Sequence, residues 1–130
     1  MYTLAVKKEF IARHFLIGGD WGAENDPHSH HYVMQVQLEA AELDQHGYLV
    51  DIVKIEEEME AAINYFGESL LNELPEFEGL NPSIEHFSRI ICNKLLDTVS
   101  PPGSGRFTVR LWENESCWAS FSRDFGGSGS

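Results

Sequence analysis

This chain of 130 residues has few basic side chains and no long apolar stretch. Its 9 lysines and arginines are outnumbered by 21 aspartates and glutamates, and a net charge of −12 repels the phosphate backbone of nucleic acids. No apolar run approaches the roughly 20 residues that a membrane-spanning helix needs. We therefore expect neither a nucleic acid nor a membrane as a partner.

Cysteine is scarce as well. Cys92 and Cys117 are the only two, and they lie far apart, one in a predicted helix and one in a predicted strand. We expect both to be reduced core residues, as in proteins of a reducing compartment. The first residues alternate like a strand and lack the basic-then-apolar layout of a secretory signal. Both features predict a cytoplasmic protein.

The hydrophobic pattern predicts two strands, two helices and two further strands. Apolar residues alternate in the strand segments and recur every three or four residues in the helical ones. The predicted elements are strands at 2–17 and 29–42, helices that follow Asp51 and Pro82, and strands at 107–113 and 117–125. We expect one α+β domain at 1–125, with a four-stranded antiparallel sheet, both helices on one face, and a flexible tail at 126–130. The exposed edges of so small a sheet predict a homo-oligomer.

Three histidines fall on the predicted inward face of the first two strands. His28 and His30 are separated by one residue, so an extended chain directs both rings to the same side. His14 has the parity of its apolar neighbours in the first strand. Three neutral imidazoles around one ion, with a fourth position open, are typical of a catalytic zinc site. A His-x-His pair also arises by chance, so the pair alone does not decide for a metal.

A structural zinc site and a cupin barrel both fit the histidine pair less well. Structural zinc sites ordinarily use cysteine, and neither cysteine is near the histidines. A cupin barrel also uses His-x-His, but it needs a glutamate shortly after the pair. Residues 33–36 contain no carboxylate, and Glu39 is too distant.

Six short motifs follow one another along nearly the whole chain. They are Phe-x-Ala-x-His at 10–14, His-x-His-x-Tyr at 28–32, Gly-x-x-x-Asp at 47–51, Leu-Asn at 71–72, Pro-Ser-x-Glu at 82–85 and Val-x-Leu-x-Glu at 109–113. Each motif is weak alone, but in this order they resemble the 6-pyruvoyltetrahydropterin synthase and 6-carboxytetrahydropterin synthase family. The resemblance implies the tunnelling fold of that family.

The resemblance also implies a zinc site and a pterin pocket. His14, His28 and His30 would be the zinc ligands, and Glu113 would accept two forked hydrogen bonds from the 2-amino group and ring N–H of a pterin. Ser83, in the motif that opens the second helix, would also contact the substrate. Without the resemblance, Glu113 would be an ordinary glutamate beside a turn. The family further implies a hexamer built from two trimers.

The chain departs from the family at the residues that transfer protons. Glu24 stands in the place of the family's cysteine, and Gly67 and Glu68 stand in the place of its Asp-His pair. A branch of the family with glutamate in the cysteine position cleaves the side chain of dihydroneopterin triphosphate. We therefore expect a zinc-dependent lyase that acts on the side chain of a reduced pterin. Glu24 would be its catalytic base or acid, and Glu68 would assist.

Two further hypotheses stay open. Loss of the Cys-Asp-His set is compatible with a pterin-binding homologue that no longer catalyses a reaction. The same pocket could instead hold a purine or another pterin-like heterocycle. Both are mildly favoured by the scarcity of basic residues for a triphosphate, of which the main candidates are Lys7, Lys8, Arg13, Lys54 and Arg89.

Overall fold

The computed structural model describes residues 1–126 and has the predicted order of elements. The elements are β1 (Tyr2–His14), β2 (His28–Ala40), α1 (Ile52–Phe66), α2 (Ile84–Val99), β3 (Gly105–Trp112) and β4 (Trp118–Phe125). The strands form one antiparallel sheet in the order β1-β2-β3-β4, and the helices pack on one of its faces. The prediction of an α+β fold with the order ββααββ is confirmed.

β1 and β2 form the longest pair of the sheet. Their register runs from Tyr2 opposite Ala40 to His14 opposite His28. Successive side chains of a strand point to opposite faces, so alternate residues of both strands face the helices. The buried apolar residues on this face include Phe10, Ala12, Tyr32, Met34, Val36 and Leu38. The same alternation carries the histidines to the end of the helix-facing side.

Aromatic packing fixes that end of the sheet against the helices. Phe87 of α2 is fully buried and lies edge-on to four other rings. The partner rings are those of Phe10, Tyr32, Phe66 and Phe77, at centroid distances of 5.2 to 5.8 Å. Each edge-to-face pair adds roughly 0.5–1.5 kcal/mol to the burial of its apolar area. Phe10 and Phe87 thus pack against the ring of Tyr32, and the hydroxyl of Tyr32 contacts His14.

The helix ends follow from local chemistry. The side chains of Asp51 and Ser83 accept hydrogen bonds from backbone N–H groups of the first turns of α1 and α2. The predicted start of a helix after Asp51 is confirmed, and α1 ends with Gly67 as its C-cap. Gly67 has φ −63°, so a left-handed conformation is not its reason for being glycine. A Cβ at this position would collide with the backbone carbonyl oxygen of Ile63.

Most strand boundaries agree with the prediction to within two residues, but two segments differ more. β1 ends at His14, whereas the alternation predicted a strand to residue 17, because other groups take over the backbone hydrogen bonds of residues 15–17. The segment after α1, predicted as a loop, contains two short 3₁₀ turns, Leu71–Glu73 and Pro75–Phe77. These turns bring Leu71 and Phe77 into the core.

The prediction that Cys117 is a buried strand residue is wrong. Cys92 is buried in α2 as expected, but Cys117 is exposed in the turn before β4. The side-chain oxygen of Asn114 accepts hydrogen bonds from the N–H groups of Ser116 and Cys117. The chain turns around this amide, and regular strand pairing resumes only at Trp118. Both cysteines are free thiols, as expected.

Over residues 1–126, no helix combines the length and the apolar composition that a membrane crossing requires. Of the predicted flexible tail at 126–130, the structure describes only Gly126. Its φ is 63°, and a Cβ there would collide with the carbonyl oxygen of Gly103. Residues 127–130 lie outside the described part of the chain.

Candidate metal centre

Three histidine rings meet at one end of the β1–β2 pair. His14 and His28 are opposite each other in the register, and His30 follows two residues later on the same face. The ring centroids are 4.5 Å apart for His14 and His28, 4.5 Å for His14 and His30, and 4.7 Å for His28 and His30. Strand parity and antiparallel register are sufficient to bring the three predicted ligands together.

The hydrogen bond of His28 fixes which of its nitrogens can bind a metal. Nδ1 lies 2.9 Å from the backbone carbonyl oxygen of Asp26. A carbonyl oxygen only accepts, so Nδ1 carries the proton of the neutral ring and Nε2 keeps its lone pair. This is the arrangement that metal-binding histidines use, since the bond at the far nitrogen sets both tautomer and ring orientation.

Two imidazole nitrogens are buried without a hydrogen-bond partner among the described residues. They are Nε2 of His28 and Nε2 of His30. An unpaired buried polar atom costs about 1–3 kcal/mol, and such atoms normally have a partner. A metal ion supplies one partner for both atoms.

His14 is the most deeply buried of the three, with 2% of its surface exposed. Its Nδ1 is 2.8 Å from the hydroxyl of Tyr32. Burial, followed by the nearby His30 and His28, lowers the pKa of His14 to about 4. The ring is therefore neutral at physiological pH and able to donate a lone pair. Burial also raises the pKa of Tyr32 well above its usual value, with Glu113 and Glu24 adding to the effect, so its hydroxyl stays protonated.

Glu24 completes the group from the loop between β1 and β2. It lies in a 3₁₀ turn at Gly22–Asn25, and its Oε2 is 2.7 Å from Nε2 of His28. One ligand atom from each of His14, Glu24, His28 and His30 can be chosen so that all four lie within 4.8 Å of one another. The sequence placed Glu24 near this site only through the family resemblance.

Asparagine side chains hold the chain segment that leads to Glu24. The amide of Asn72 bonds both backbone groups of Phe15, and the amide of Asn81 bonds both backbone groups of Ile17. Between them, the N–H of Leu16 donates to the carbonyl oxygen of Glu24 at 2.7 Å. The side chain of Asn25 donates to the carbonyl oxygen of Leu16 in return. These bonds replace strand pairing after His14 and fix the backbone of Glu24 relative to the histidines.

The donor set fits a zinc ion. Three imidazole nitrogens and a carboxylate oxygen are all zinc ligands, and the ligand atoms of a tetrahedral zinc lie about 3.3 Å apart. The observed group needs only small side-chain movements to reach that spacing. The residues therefore match the metal that the family resemblance implied.

Glu113 lies beside the histidine group, at the end of β3. Its Oε1 is 3.6 Å from Nδ1 of His30, an ion-pair distance that is too long for a hydrogen bond. Its backbone N–H donates to the carbonyl oxygen of Cys117, so the β3–β4 turn holds it in place. Glu113 also lines a cavity of about 470 Å³ together with Trp112, Lys7 and other residues. Other residues that line this cavity, among them Glu9 and His31, lie on the sheet face opposite the histidines.

Two predicted site residues lie outside the four-residue group. Glu68 is exposed at the outer edge of β1, where residues 68–70 pair with the strand and the N–H of Glu68 donates to the carbonyl oxygen of Ile11. It lines a separate cavity of about 550 Å³ with Glu9 and His31. Ser83 caps α2, and its hydroxyl oxygen accepts the N–H of His86. The same hydroxyl retains a proton that it can donate to a ligand.

Sequence reasoning missed the supporting residues. Asn72 belongs to the Leu-Asn motif and Asn81 directly precedes the Pro-Ser-x-Glu motif, but nothing in the motifs indicated that these amides bond Phe15 and Ile17. The hydrogen bond between Tyr32 and His14 was not predicted from the sequence either. No local signal was available for the asparagines, since their amides bond backbone groups 57 and 64 residues away in the chain.

Comparison with known families decides the assignment. The family model described as 6-pyruvoyl tetrahydropterin synthase matches residues 3–124. The chain belongs to the 6-pyruvoyl tetrahydropterin synthase family. A parallel comparison with curated proteins gave no match.

Solved structures of 6-pyruvoyl tetrahydropterin synthases share the fold. The enzyme from Caenorhabditis elegans is 22% identical with a TM-score of 0.78, and the match covers 92% of this chain and 94% of that one. The Plasmodium vivax enzyme, solved with a catalytic glutamate replaced by alanine, is 16% identical with a TM-score of 0.78, covering 95% and 98%. The Plasmodium falciparum enzyme is 12% identical with a TM-score of 0.77, also covering 95% and 98%. At these identities the likeness shows the fold, and the expected tunnelling fold is confirmed.

The lowered pKa of His14 predicts a pH dependence of stability in the metal-free protein. An unfolded histidine binds a proton near pH 6.5, whereas folded His14 does so near pH 4. Between these values the unfolded chain binds more protons, so the contribution of His14 is complete above pH 6.5 and is lost as the pH falls. We expect a loss of up to about 3 kcal/mol at pH 4 relative to His14→Gln. Urea unfolding of both metal-free proteins from pH 7 to pH 4 measures it, and parallel pH profiles would contradict it.

Proposed function

We propose that this protein is a zinc-dependent lyase that acts on the side chain of a reduced pterin, with dihydroneopterin triphosphate as the substrate class. The observation that carries the proposal is the group of three histidines and Glu24, in which two buried imidazole nitrogens lack partners among the described residues. Membership of the 6-pyruvoyl tetrahydropterin synthase family supports pterin chemistry at this group.

His14, His28 and His30 would hold the zinc ion through their Nε2 atoms. Tyr32 and the carbonyl oxygen of Asp26 keep two of these rings in the required orientation. When bound, zinc would polarise a side-chain oxygen of the substrate and stabilise the negative charge that forms on it.

Glu24 would move the proton. Its carboxylate lies 2.7 Å from Nε2 of His28, so a substrate oxygen bound to the same metal, or an acidic C–H next to that oxygen, would stand beside it. As a carboxylate it can remove that proton, and as a carboxylic acid it can return it to the departing fragment or to the pterin. The Plasmodium vivax relative, in which a catalytic residue is a glutamate, supports this role.

Glu113 would bind the heterocycle. A pterin offers its 2-amino group and ring N–H side by side, and a carboxylate can accept both bonds in a fork. The distance of 3.6 Å between Glu113 Oε1 and His30 Nδ1 supports this role, because a pterin held by Glu113 would have its side chain near the histidines. Ser83 would also contact the substrate, by donating the proton of its hydroxyl.

The assembly is part of the proposal. Among the described residues, no strand pairs with the outer edge of β4, and only residues 68–70 pair with the outer edge of β1, near its end. Long free edges invite pairing with other copies. We infer a homo-oligomer, with the hexamer of two trimers as the expected form. Glu68 is exposed at the outer edge of β1, where a neighbouring subunit would approach, so it would assist catalysis in that subunit's site. Two free thiols are compatible with a reducing cytoplasm.

Replacing Glu24 with glutamine tests the catalytic proposal. The amide cannot take up the proton, so we expect kcat for dihydroneopterin triphosphate to fall by roughly 10²- to 10⁴-fold. The assay is run with zinc in excess, so that any change in metal affinity does not enter the result. Wild-type kcat in this variant would contradict the role. Pterin binding by the wild type without any product would favour the inactive homologue instead.

Replacing Glu113 with glutamine tests the pterin pocket. The new amide N–H would face the N–H groups of the pterin, so one forked bond becomes a repulsive contact. We expect pterin affinity to fall by about 10- to 100-fold, equivalent to losing one charge-assisted bond, while zinc content stays the same. A fluorescence titration measures the affinity, with Glu57→Gln on the exposed side of α1 as the control. Equal affinity in both variants would remove Glu113 from the pocket.

Mixing inactive variants tests the role of Glu68. If Glu68 serves a neighbouring site, mixed oligomers of Glu24→Gln and Glu68→Gln chains contain some sites with both glutamates intact. We expect these mixtures to regain turnover that neither variant shows alone. Mixtures of Glu24→Gln and His14→Gln chains are the control, since both residues belong to one chain's histidine group and no intact site forms. Equal turnover in the two mixtures would refute action across the boundary.

A further inference from the structure

The contact between Glu24 and His28 requires a cation. Nε2 of His28 carries a lone pair, because the proton of the neutral ring is on Nδ1 and bonds the carbonyl oxygen of Asp26. Oε2 of Glu24 lies only 2.7 Å away, closer than two atoms that both offer electron pairs would remain. Either a proton or a metal ion must therefore lie between them.

The geometry favours a metal over a proton. The distance between Oε2 of Glu24 and Nε2 of His28 is short enough for a hydrogen bond, but the angle at Nε2 is not that of one. An N–H on Nε2 would therefore not point at the carboxylate. His30 Nε2 is unpartnered in the same way, and the ring of His14 stacks on that of His30. One proton can satisfy one nitrogen. One metal ion at the centre of the group satisfies all three nitrogens and the carboxylate.

The loop holds the carboxylate in this place. The carbonyl oxygen of Glu24 accepts the N–H of Leu16 at 2.7 Å, and its own N–H donates to the carbonyl oxygen of Trp21 at 3.3 Å. The side chain of Asn25 fixes the turn by accepting the N–H of Trp21 and donating to the carbonyl oxygen of Leu16. The backbone of Glu24 is thus anchored on both sides, and its position beside the histidines is built into the loop.

We propose that Glu24 is the fourth ligand of the metal in the substrate-free protein, and that a substrate oxygen displaces it. The resting site is then closed by three histidines and a carboxylate. Substrate binding releases Glu24 at the place where a base is needed, next to the oxygen that has replaced it. This inference rests on the proposed function for the presence of the metal, but not for the reaction.

Metal binding without any pterin tests the inference. We expect Glu24→Gln to bind zinc at least about 10-fold more weakly than the wild type, since loss of even an indirect partner of a ligand costs that much. Competition with a chromophoric chelator measures the affinity. Glu9→Gln is the matched control, because Glu9 also contacts a histidine, His31 at 3.5 Å, on the other face of the same strands. Its zinc affinity should equal that of the wild type.

A second variant, Glu24→Cys, tests the inference even if Glu24→Gln does not fold. In Glu24→Cys loaded with cobalt, a thiolate that reaches the metal gives a sulfur-to-cobalt charge-transfer band in the near ultraviolet. Glu9→Cys should show no such band. Adding dihydroneopterin triphosphate to cobalt-loaded wild type should change the visible absorption, as one oxygen ligand replaces another in a different geometry.

The outcomes separate this inference from the proposed reaction. Weaker zinc binding by Glu24→Gln, or the charge-transfer band of Glu24→Cys, supports the fourth ligand even if no pterin is converted. Wild-type zinc affinity in a folded Glu24→Gln protein, together with no band in Glu24→Cys, overturns it even if the wild type is an active lyase.

Discussion

The register of β1 against β2 is the constraint on which the rest of the site depends. It sets His14 opposite His28 and leaves His30 two residues further on the same face. A register shift of one residue would turn the histidines of the shifted strand, together with its apolar residues, to the solvent face of the sheet. The same strand pairing therefore fixes both the buried core and the histidine group. The aromatic rings around Phe87 hold that end of the sheet against the helices. Core and metal site therefore form one unit, joined by Tyr32, which packs on Phe87 and contacts His14.

The second constraint is the path of the chain after β1. Strand pairing ends at His14, yet the backbone of residues 15–17 does not lose its hydrogen bonds, because the amides of Asn72 and Asn81 replace the missing strand. An amide side chain offers both a donor and an acceptor, as a neighbouring backbone does. The loop is thereby fixed where an unsupported segment would be mobile. That rigidity positions Glu24 close enough to share a cation with the histidines.

The sequence predicts the fold and the histidines well because both depend on short-range periodicity. Alternation in strands gave the shared face of His14, His28 and His30 without any tertiary information. The position of Glu24 could not be predicted this way, since it depends on amides more than 45 residues further along the chain. The exposure of Cys117 was missed for a local reason, because Asn114 turns the chain and delays the strand. Alternating patterns do not show where a side chain takes over a backbone bond.

The proposed function requires that the imidazoles of His14, His28 and His30 share one metal ion. The most direct test is the zinc content of the protein purified without chelators, measured by mass spectrometry of the native protein and by elemental analysis. We predict one zinc ion per chain and no tightly held zinc when His14 is replaced by glutamine. A wild-type protein that retains no divalent ion after incubation with zinc would contradict the account.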